Sequence, residues 1–157
     1  MTIHITSQDF QLSKREDVKK TKFVFKVTDV IYNEHWGTAG LMSYPIGEWV
    51  ESELGPILAF DSFQNAKAFA ISRHYIWLAE AKDVSPVEIV LSPTSLTSPK
   101  TIKEFWQSDD KSGFNTVHAP RGTVGCQRIR LVEMVARGNI IFEILDEEYL
   151  KQKNKPK

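Results

Sequence analysis

The stretch 55–80, GPILAFDSFQNAKAFAISRHYIWLAE, constrains the fold more than any other part of this chain. It reads as strand, helix, strand. Residues 57–60 form a short apolar run, and Asp61-Ser62 is a helix-start signal. Asp61 can accept a hydrogen bond from the backbone N–H of Gln64 while Gln64 reaches back, as in a capping box. Phe63, Ala66, Phe69 and Ala70 then recur at helical spacing on one face. From Tyr75 the period drops to two, with Tyr75, Trp77 and Ala79 on one side and Ile76, Leu78 and Glu80 on the other.

The flanking segments extend this unit. Residues 2–6 alternate like an edge strand within a polar, mixed-charge arm, 1–21. Residues 22–31 form a strand with Phe23, Phe25 and Val27 on one face and Lys26 and Thr28 on the other. YNEHWGTAG, 32–40, reads as a turn-rich loop, and Pro45 keeps a short strand near 47–51 at an edge or bend, since proline donates nothing to a ladder. A strand is expected at 87–91, a short helix at 101–108 with Ile102, Phe105 and Trp106 inward, and a mobile polar loop at 108–115. HAPRGTVGC, 118–126, is glycine- and proline-rich. A hairpin then pairs 128–135 with 140–145 across a turn where Gly138 and Asn139 can take positive φ. A basic tail, 147–157, closes the chain. The expectation is a single α+β domain over 22–146, with a mostly antiparallel sheet of about six or seven short strands and two short helices.

Composition narrows the function classes. At 157 residues the chain can bury an ordinary core. Its 20 basic and 20 acidic side chains cancel, which argues against nucleic acid as a partner. The single cysteine, Cys126, excludes an intrachain disulfide and a cysteine-rich zinc site. No apolar run approaches the ~18 residues of a membrane span, and the N-terminus lacks a signal-peptide pattern, so a cytoplasmic location is expected.

No chemistry stands out by motif. His4, His35, His74 and His118 are scattered, with no HxH or HExxH spacing, so no metal is expected. No GxxxxGK[ST] or GxGxxG loop occurs. RGTVG, 121–125, reads either as an anion-accepting turn or as a simple lead into a strand. Cys126 has His118 and His35 as formal partners but reads as a small buried side chain. Trp77 and Trp106 read as core, Trp36 as a binding residue on a loop, and Trp49 as undecided. Glu80 and Glu133 fall among apolar strand neighbours, where an acid is solvent-facing, held by an arginine, or a candidate cleft carboxylate.

GPILAFDSFQNAKAFA followed by HYIWLAEAKDV, with SYPIGEW before it, resembles a module of small phage and bacterial proteins in which a strand ending F-x-S leads into an A-x-x-F-A helix. More loosely, the same run is similar to the middle of ADP-ribosyltransferase-like folds. The first resemblance implies an accessory protein that binds a bacterial protein or a nucleotide-like small molecule without catalysis or cofactor. Its expected binding residues are His35, Trp36, Ser43 and Tyr44 from one side and His118 and Arg121 from the other, since aromatic, hydroxyl and guanidinium groups on glycine-rich loops supply stacking, hydrogen bonding and anion capture. The second implies an enzyme acting on NAD with Glu133 or Glu80 as the carboxylate. A third reading is an oligomer with the loop tryptophans at its interface.

Overall fold

The computed structural model describes residues 21–39, 41–96 and 98–141. The strand expected at 2–6, the polar arm before Thr21 and the tail beyond Ile141 lie outside the described residues. In chain order come β1 (Thr21–Ile31), β2 (Glu34–Gly37), β3 (Val50–Glu51), β4 (Ile57–Phe60), a helix at Phe63–Phe69, β5 (Tyr75–Lys82), β6 (Ser85–Pro86) and β7 (Ile89–Leu91). A 3₁₀ turn at Pro93–Ser95, a helix at Pro99–Gln107, β8 (Thr116–His118), β9 (Thr123–Cys126), β10 (Arg128–Arg137) and β11 (Ile140–Ile141) complete the set.

The main sheet runs β11-β10-β5-β1-β4-β9-β6, with β2 attached to β1 and β3 to β10, while β7 and β8 form a separate ribbon. All these pairings are antiparallel. This is the α+β class expected, with more strands than the sequence pattern announces.

The extra strands have plain causes. β2 exists because Tyr32 and Asn33 both adopt positive φ (51° and 66°), giving a tight two-residue turn that folds Glu34 back onto Ile31. The segment read as a loop is therefore half hairpin. β9 lies in the sheet interior between β4 and β6, all four of its residues buried. Its Gly125 is a fit requirement: a Cβ there would come within 2.9 Å of Pro56 Cβ and 3.1 Å of Val87 Cγ2. The glycine that looks like a loop residue in sequence is a packing residue in the fold.

The 63–69 helix starts one residue later than expected. Ser62, not Asp61, is the N-cap, its hydroxyl accepting from Asn65 N at 3.1 Å, while Asp61 Oδ1 accepts from Asn65 Nδ2 at 2.9 Å. The helix buries Phe63 and Ala66 against Phe25, Val27, Phe60, Ile76 and Leu78 on one sheet face. Phe25 and Phe63 meet edge to face at 5.9 Å, and each such buried side chain contributes roughly 1.5–3 kcal/mol. The opposite face carries Val24, Tyr44, Trp77, Ala79, Ile129 and Leu131. A smaller cluster, Leu91, Ile102 and Phe105 with Trp106 and Phe114 against it, anchors the 99–107 helix. The 108–115 loop is tied to that helix, with Lys111 Nζ donating to the carbonyls of Phe105 and, at 2.6 Å, Ser108.

Candidate functional site

The site begins at a defect in the sheet. β1 and β4 meet at one residue pair, Phe25 and Phe60. Beyond it β1 takes β2 as its neighbour from Thr28 onward, while β4 continues beside β9, so the seam opens. A cavity of about 460 Å³ fills this opening. Its walls are Lys26 and Val27 from β1, residues 57–60 of β4, and Gly37, Leu41, Met42 and Tyr44 from the β2 side. Leu91, Leu96, Ile102, Trp106, Val117 and His118 close the other side. The volume lies within the ~300–1,000 Å³ usual for small-molecule sites.

Gly55 shapes the far wall. Its φ of +127° suits glycine alone, and a Cβ there would collide with the Trp106 ring. The indole therefore packs close against the backbone that leads into β4.

Among the described residues, Lys26 is the one buried charge in the lining. Only 7% exposed, it sits among apolar neighbours with its Nζ donating to Leu58 O at 2.7 Å, across the open seam. The ammonium lies 4.9 Å from the centre of the Tyr44 ring. Among the described residues its contacts are a neutral carbonyl and a π face, while an ammonium has three donors. Among the described residues no carboxylate lines the cavity or pairs with Lys26.

Cys126 is near this charge but inert. It is 1% exposed, its thiol donates to Ile57 O at 3.4 Å, and burial pushes its pKa up to about 11 against the opposing pull of Lys26. The thiol stays protonated near neutral pH and is no nucleophile.

The residues expected to bind are divided by the fold. Tyr44 and His118 both border the cavity, Tyr44 buried under Lys26 and His118 exposed at the rim. His35 packs instead edge-on to Trp77 and Tyr75, at 4.9 and 5.1 Å, with Thr28 Oγ1 3.0 Å from its Nδ1. Burial lowers its pKa from the ordinary imidazole value. Trp36 and Ser43 are half-buried and bridge to each other, which ties the segment after β2 back to the hairpin. Arg121 is exposed on the turn between two cavity-lining residues, Pro120 and Thr123. Glu80 accepts from Arg130 at 2.6 Å, and Glu133 is exposed on β10 where the ladder shifts register. Neither glutamate lines the cavity. Among the described residues, no group of three or more His, Cys, Asp or Glu side chains could hold a metal ion.

Lys26 is the residue that sequence reasoning placed on a strand face without seeing its importance. A signal was there: FVFKV puts a lysine inside an unbroken apolar run, where a long cation has no obvious route to water.

No family model, curated protein or solved structure matches this chain. Among the described residues, no helix is long and apolar enough to cross a membrane.

Proposed function

We propose that this protein binds a small, largely apolar molecule in the cavity at the β1–β4 seam and performs no chemistry on it. The observation that carries the reading is the cavity itself: an opening of about 460 Å³ lined mostly by aliphatic and aromatic side chains, with few polar groups to orient a ligand. Catalysis finds less support, because the buried thiol is protonated, Glu80 is committed to Arg130, and neither Glu80 nor Glu133 reaches the wall shared by Tyr44 and His118. A nucleotide carrying several phosphates would meet a single buried cation there. A cytosolic accessory role in a phage or its host rests on the resemblance of residues 43–49 and 55–84 to phage and bacterial modules.

The test is a thermal-shift panel of neutral and charged amphiphiles together with NAD and ADP-ribose, with mass spectrometry of each ligand after incubation. A ligand at 100 times its dissociation constant adds about 2.7 kcal/mol of stability. The expected result is a shift with amphiphiles and recovery of the ligand unchanged. A shift confined to NAD, with its conversion to product, would replace this reading with the transferase one.

A further inference from the structure

Resting on the cavity as the binding site, we infer that its ligand is an amphipathic monoanion whose carboxylate binds the Lys26 ammonium while its apolar body lies along Ile102 and Trp106. An ammonium removed from water loses several kcal/mol of hydration and is ordinarily matched by a carboxylate or several oxygen acceptors. Lys26, at 7% exposure, has Leu58 O at 2.7 Å and the Tyr44 ring at 4.9 Å, neither of which carries negative charge. The chain has 20 acidic residues, yet among the described ones none stands in the cavity wall. The lining is thus electrostatically one-sided, with Lys26 inside and His118, the other titratable base, at the rim.

The remainder of the wall fixes the body of the ligand. Leu91, Leu96, Ile102 and Trp106 offer continuous apolar surface and no further buried cation. One charge with a hydrocarbon wall matches one head group with a hydrocarbon tail. A dianion or a polyphosphate would leave charge unpaired in an apolar space.

The experiment uses the full chain and calorimetric titration with three probes of equal tail length: decanoate, decanol and decylamine. A hydrogen bond to a charged partner contributes enough to give decanoate about 10- to 100-fold tighter binding than decanol. Decylamine, which places a second cation beside Lys26, should be the weakest of the three. Lys26→Met, checked for folding by circular dichroism, should bind decanoate no better than decanol. The probe series on the unmodified chain carries the test if that variant does not fold. Equal affinity for decanoate and decanol, or a decanoate preference that survives in Lys26→Met, would overturn the inference and leave the cavity reading standing. Failure of all three probes to bind would overturn the cavity reading and this inference with it.

Discussion

Lys26 and Arg130 are both cations of the main sheet, on the two strands that flank β5, and the fold treats them in opposite ways. Arg130 stands directly across the ladder from Glu80 and donates to its carboxylate at 2.6 Å. It also lies 4.9 Å from the Trp49 ring, which Lys82 and Arg128 approach at 5.0 and 5.8 Å. The Arg130–Glu80 pair is charge-matched and partly open to water, its two side chains 35% and 24% exposed. Lys26 is far more buried and, among the described residues, has no carboxylate partner. A half-exposed cation with a partner completes the structure. A buried cation without one leaves a place for something to arrive.

The largest expected effect comes from removing the support of the Lys26 side alone. Phe105 is fully buried at the centre of the cluster behind Ile102 and Trp106. Phe105→Ala should cost about 3–5 kcal/mol of stability and abolish ligand binding. Hydrogen exchange should show protection lost over the 99–107 helix and retained in β5 and β10. Uniform loss of protection would mean that the two regions do not stand apart.

A smaller effect separates the two cations from two imidazoles, half-buried His35 and buried His74. Burial lowers the pKa of both His35 and His74, the latter despite the opposing attraction of Asp29. Between the folded pKa and the unfolded value near 6.5, the unfolded chain binds more protons. Stability should therefore be flat above about pH 6.5 and fall as the pH drops below it. Denaturant titrations from pH 7.5 to 5 check this, and His35→Gln should remove part of the decline. A stability that rises on acidification would contradict the lowered pKa of the two rings.

Much of this fold was legible because its strong periods are local. β1, β4, the 63–69 helix and β5 each show their own spacing, and the hairpin turn at Gly138 (φ +58°) follows from glycine chemistry. β2 and β9 were not legible, since their pairing depends on an unusual Tyr-Asn turn and on a glycine squeezed between Pro56 and Val87. The helix cap was missed by one residue because Asp61 and Ser62 are both capping types, and only the backbone path selects Ser62. For the site, Tyr44 and His118 were named for their side-chain chemistry and do border the cavity. Lys26 was placed on a strand face but not in the site, because its role comes from where β1 and β4 part, a long-range event that no single segment encodes.

The most direct measurement is the unfolding free energy of Lys26→Met beside that of Arg130→Met, both without ligand. Arg130→Met strands the Glu80 carboxylate and should lose about 1–2 kcal/mol. Lys26→Met removes a buried charge that has no counter-ion among the described residues, and should leave stability unchanged or raised. A loss in Lys26→Met as large as that in Arg130→Met would mean that Lys26 is a structural bridge across the β1–β4 seam, and the account of a receptor site would fail.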